Sequence, residues 1–96
     1  MDKIKQDVSE ILELYGSHHD EKGKFYHVLE EIGKHLIKLT RLKENEDRPG
    51  HFKEEVADIY LLTLSLLELE GIDNKVLLKA SDHFLEKVKE IYGSSN

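Results

Sequence analysis

Between His51 and Gly71 the chain is so apolar that, wound into a helix, it must be covered on two sides. At ~100° per residue, Ile59, Leu62 and Leu66 make one stripe, while Leu61 and Leu64 point away from it. A helix apolar on both sides needs neighbours on both, so this segment belongs at the centre of a helical assembly. A second subunit is expected to supply part of its cover. Two carboxylates interrupt the pattern. Glu55 falls between Leu62 and Leu66, within roughly 40° of Ile59, and Asp58 lies beside Leu69 on the flank of the stripe. Ionised carboxylates are seldom fully buried unless they are paired or hold a metal, because desolvation costs several kcal/mol.

The rest of the chain repeats at helical spacing. Ile4, Val8, Ile11 and Tyr15 predict a first helix that stops at Gly16, and the polar stretch 17–24 reads as a loop. Phe25, Val28, Leu29, Ile32, Leu36, Leu39 and Leu42 line one face of a second helix over Phe25–Lys43. A loop is expected over 44–50, around the lone proline Pro49 and the following Gly50. After the third helix, Asp73 is a natural N-cap for a fourth that aligns Leu77, Ala80, Phe84, Val88 and Ile91, before a frayed tail at 93–96. No segment alternates with period two. The expectation is one all-α, four-helix domain spanning 1–96, completed by a second subunit.

Charge narrows the function classes. Lys and Arg total 14 against 20 Asp and Glu, a formal net charge of −6, and no basic block exists to follow a nucleic-acid backbone. Without cysteine, neither disulfides nor thiolate zinc sites can form. The opening Met1-Asp2-Lys3-Ile4-Lys5 lacks the apolar core of a signal peptide, and the apolar run 59–67 is too short to span a bilayer. A cytoplasmic protein, without membrane or nucleic-acid polymer as partner, is the expectation.

Glu55 and Asp58, three apart, offer two oxygen ligands from one helix face, and Glu30-Glu31 place another acidic pair at the edge of the second helix's apolar arc. The blander alternative is a solvated acidic face at a helix start, which suits Glu54 better than Glu55. His27, Glu31 and His35 are spaced four apart, and His51 lies four before Glu55, a pattern a transition metal could use. His35 within the apolar arc is more simply a satisfied core histidine. His18-His19, Arg41, Lys43, Arg48 and the set Lys79, Asp82, His83 and Lys87 read as solvated surface groups.

The order Leu29-Glu30-Glu31-Ile32-Gly33, then Glu54-Glu55-Val56-Ala57-Asp58, then Leu69-Glu70-Gly71-Ile72-Asp73 resembles the MazG-like all-α nucleoside triphosphate pyrophosphohydrolases, over roughly 25–88. That family's pattern is EExxE, a variable spacer, then ExxD. The resemblance implies Mg²⁺, with Mn²⁺ as a substitute, held by Glu31, Glu55 and Asp58. It implies cleavage of a nucleoside triphosphate to monophosphate and pyrophosphate, with Glu30 or Glu54 as the base, in a homodimer or tetramer. The third motif glutamate is Lys34 here. An ammonium cannot ligate a cation, so Lys34 either binds a phosphate oxygen of the substrate or marks a catalytically impaired nucleotide-binding or protein-interaction module.

Overall fold

The computed structural model describes residues 2–45 and 49–93. Four α-helices follow one another: α1 (Asp2–Gly16), α2 (Glu21–Asn45), α3 (Pro49–Leu69) and α4 (Asn74–Val88), the last continued by a π-helical turn over Lys89–Gly93. Among the described residues there is no strand, and no helix is long and apolar enough to cross a membrane.

The helix ends differ from expectation for local reasons. The loop expected over 17–24 is shorter, because Asp20 caps α2: its Oδ1 accepts from the Gly23 backbone N–H at 2.7 Å. Lys24 then pairs with Glu21 at 2.6 Å, so the polar stretch forms the first turn of α2. The loop expected over 44–50 also contracts, since α2 runs to Asn45 and α3 opens at Pro49. Proline suits a first helical turn, where its missing N–H is not needed. Positions 46–48 of that loop and 94–96 of the tail lie outside the described residues. Lys43 sits over the Phe52 ring at 5.2 Å, tying the end of α2 to the start of α3.

α3 ends in a Schellman turn. Ile72 N–H donates to Leu67 O at 2.9 Å and Gly71 N–H to Glu68 O at 3.2 Å, with Gly71 at φ 65°. Asp73 follows as the expected N-cap of α4, accepting from the Val76 N–H at 3.1 Å.

α1, α2 and α3 pack together, with α3 against both of the others. Val8, Leu12 and Val28 form the buried centre, and Leu61, Leu64, Leu66 and Leu69 of α3 pack around it. Leu61 and Leu64 are half-buried against this centre, so α1 and α2 supply part of the cover that the two apolar sides of α3 call for. α4 differs from the bundle expected. It has no buried residue, and among the described residues it packs only on the π turn that follows it. The radius of gyration is 16.4 Å, against about 12.5 Å for a compact chain of this length.

Candidate functional site

Glu55 is 6% exposed, in the first half of α3 where the apolar stripe places it. A buried carboxylate needs a partner, and α2 provides one: His35 donates from Nδ1 to Glu55 Oε1. The imidazole is half-buried, and its Nε2 lies 3.9 Å from Glu31 Oε2. His35 thus stands between the acidic residue of α2 and that of α3. It is a satisfied histidine, as expected, but its partner is the candidate ligand itself. Lys38, one turn further along α2, places Nζ 4.0 Å from Glu55 Oε2.

Two groups of potential ligand atoms result, each lying within 4.8 Å of one another. One joins His35, Glu55 and Asp58; the other joins His27, Glu30 and Glu31. Of the three residues expected to hold a metal, Glu55 and Asp58 are brought together directly, and Glu31 adjoins them across His35. All but Glu55 border one cavity of about 180 Å³, where Glu31, His35 and Asp58 face Tyr15, Leu62 and Ser65. His51 is exposed and belongs to neither group.

The expected bases are placed unequally. Glu30 is exposed yet lies beside Glu31, whereas Glu54 is exposed and belongs to neither ligand group. Lys34 is ion-paired to Glu30 at 3.1 Å and to Glu31 at 3.8 Å. The hydrogen bond to Glu30, then the negative charges of Glu30 and Glu31, raise the Lys34 pKa above its ordinary value, so the ammonium stays charged. It lies outside the cavity lining, at the rim of the acidic cluster.

Three site residues escaped the sequence. Ser65 is 1% exposed and donates to Leu61 O at 2.9 Å. It sits seven after Asp58, a spacing that returns to the same helix face and could have found it. Tyr15, at the end of the α1 stripe, has its pKa raised by burial and, second, by the charge of Glu31, so the phenol remains neutral beside the carboxylates. Lys38 lies three after His35, on a neighbouring part of the α2 surface. His18 and His19 are exposed, as expected, and the His19 ring also stacks on His27 at 4.8 Å between centroids, while Tyr15 meets His27 edge-on at 4.6 Å.

The donor set fits a divalent cation chemically. Three carboxylates are hard oxygen ligands, and the one imidazole shifts the preference from Mg²⁺ towards Mn²⁺. Binding requires a cation to share or replace the proton donor that His35 now gives Glu55. Lys34 and Lys38 place two exposed ammonium groups beside these carboxylates. Comparison with family models, with curated proteins and with solved structures finds no match to this chain, so the MazG-like resemblance rests on the motif residues alone.

Proposed function

We propose that this protein is a divalent-cation-dependent nucleoside triphosphate pyrophosphohydrolase. The observation that carries the reading is that His35 joins Glu55 and Asp58 of α3 in one ligand group and lies 3.9 Å from Glu31 of α2, with Glu31 and Asp58 bordering one small cavity. These residues are 24 or more positions apart across the two helices, and an exposed acidic face would not need a buried glutamate at its centre.

Glu55 and Asp58 would hold the cation from one face of α3, with Glu31 opposite. When bound, the cation supplies charge neutralisation for the phosphates and acidifies an attacking water. His35 fixes the rotamer of Glu55 through its Nδ1–H, a positioning role of the kind that tunes ligand carboxylates. Glu30 is better placed than Glu54 to take the proton from water, because it adjoins Glu31; it must first release Lys34. Lys34, freed in exchange, reaches a phosphate oxygen. Water then cleaves the α–β phosphate link, and pyrophosphate leaves. The cavity is smaller than the ~300–1,000 Å³ of pockets that enclose a whole small molecule, so it suits the phosphate end of the substrate.

A second reading has its own observation. Lys34 ion-pairs both motif glutamates, and a cluster so neutralised could bind nucleotide without turning it over. Isothermal titration with Mn²⁺, alone and with a non-hydrolysable triphosphate, together with pyrophosphate release, separates the readings. The enzyme reading expects metal binding, nucleotide binding and turnover, all lost in Asp58→Asn. Nucleotide affinity without turnover favours the impaired module. No metal binding in the wild type removes the site.

A further inference from the structure

The cavity beside the carboxylates is short of hydrogen-bond donors, and an anion bound there needs them. Of the side chains that line it, Tyr15, His35 and Ser65 alone carry an O–H or a ring N–H. The Ser65 hydroxyl is committed to Leu61 O at 2.9 Å. His35 donates from Nδ1 to Glu55, and a neutral imidazole that does so has no second N–H to give. Tyr15 Oη makes no hydrogen bond among the described residues. It is also the one polar group that α1 brings to this wall, where Ile11 is the other α1 residue. The phenol is held firmly. The Tyr15 carbonyl accepts from the His18 N–H at 3.1 Å and the His19 N–H at 3.0 Å. Its ring packs against the Val8, Leu12 and Val28 centre and meets His27 edge-on at 4.6 Å, and His27 is in turn stacked by His19. Burial, and then the charge of Glu31, raise the phenol pKa, so at neutral pH the group is an O–H donor.

We propose that the Tyr15 hydroxyl is a substrate-contacting group of this site, donating a hydrogen bond to a non-bridging phosphoryl oxygen of the cation-bound polyphosphate. The inference rests on the reading of the carboxylate cluster as a cation and phosphate site. A cation on Glu31, Glu55 and Asp58 neutralises the phosphoryl oxygens that it touches. The oxygens turned towards α1 meet only apolar side chains and this phenol. A phenol O–H on an anionic oxygen is charge-assisted, and roughly twice as strong as a bond between neutral groups. The phenol keeps its proton throughout, so it binds and orients the anion without acting as an acid. Lys34 lies outside the cavity lining, so ammonium and phenol reach different oxygens from different helices.

The test uses the full chain and inorganic tripolyphosphate, which carries no base or sugar and so reads the phosphate contacts alone. Calorimetry follows Mn²⁺ first and then the Mn²⁺–tripolyphosphate complex. Tyr15→Phe keeps the ring and its packing, so it is expected to bind Mn²⁺ as the wild type does. It is expected to bind the complex about 10-fold or more weakly, the effect of one hydrogen bond to a charged group. A second measurement needs no substitution. In wild-type protein carrying carbon-13 at tyrosine Cζ, the Tyr15 resonance, assigned through its ring contacts with His27, is expected to shift when Mg²⁺–tripolyphosphate is added. Equal affinity of wild type and Tyr15→Phe for the complex overturns the proposal and leaves the cation site standing, as does a Tyr15 resonance that stays still while the complex binds. A wild type that binds neither Mn²⁺ nor the complex overturns the proposal together with the reading beneath it. Both measurements read binding and not turnover, so a failure of hydrolysis and a failure of this contact are separate observations.

Discussion

Replacing His35 by leucine leaves Glu55 without its hydrogen-bond donor, and the cost follows from where the two groups sit. The Glu55 side chain is 8% exposed and that of His35 22%. Breaking a fully buried ion pair by deleting one partner costs about 3–5 kcal/mol, because the remaining charge is stranded. Here the open edge of the imidazole admits some water and Lys38 stands 4.0 Å from the other carboxylate oxygen. The expected penalty is therefore lower, about 2–4 kcal/mol. At about 4–8 °C per kcal/mol for a domain of this size, that is a fall of roughly 8–32 °C in Tm. Removing both partners in His35→Leu/Glu55→Leu strands no charge and should recover all but about 1 kcal/mol. Glu55→Gln should cost little, since its amide oxygen still accepts from Nδ1–H. The assay is a double-mutant cycle by chemical denaturation at one fixed protein concentration, because an oligomer's stability depends on it. If His35→Leu costs less than about 0.5 kcal/mol, or if the two losses simply add, the imidazole is not what keeps Glu55 inside.

Two glycines should respond with opposite signs. Gly71→Ala, at φ 65° with no atom within 4 Å of the added Cβ, should destabilise by about 1 kcal/mol through the backbone alone. Gly33→Ala, inside α2 and also unobstructed, should stabilise by up to about 1 kcal/mol in the same denaturation assay. Lys34→Glu should tighten Mn²⁺ binding in calorimetry, by adding a carboxylate and removing the charge that pairs Glu30 and Glu31; unchanged affinity would place position 34 outside the site. Tyr15 should be among the last tyrosines to ionise when tyrosinate absorbance is followed against pH, and Tyr15→Phe should delete that late phase. Its folded pKa is raised above 10.0, so the stability it contributes is complete below that pH and is lost as pH rises through the folded value.

The periodicity of apolar residues was enough to read the four helices, the Asp73 cap and the burial of Glu55, because each depends on residues within a few positions. The start of α2 was harder. Residues 21–24 carry no apolar side chain to show a helical phase, and only the capping geometry of Asp20 reveals that they are helical. The His35–Glu55 pair joins residues 20 apart on different helices, and no local pattern encodes which donor a buried carboxylate will meet. Leu61 and Leu64 show a related limit: their spacing says that two faces of α3 need cover, but not that α1 and α2 provide part of it. The stripe on α4 was equally visible, yet a stripe does not say whether its neighbour lies in the same chain. Lys34 was legible as a departure from the family pattern, and its i,i+4 spacing to Glu30 already allowed the ion pair the structure contains.

The most direct measurement of the functional account is phosphorus NMR of the purified protein with a panel of nucleoside triphosphates, run with Mn²⁺, with Mg²⁺ and with a chelator. The account expects monophosphate and pyrophosphate resonances to grow together for at least one nucleotide, more strongly with Mn²⁺. It also expects them to be absent with chelator or in Asp58→Asn. Growth of diphosphate and orthophosphate would mean that a different bond is cut, and intact triphosphate with both metals would contradict the hydrolytic reading outright.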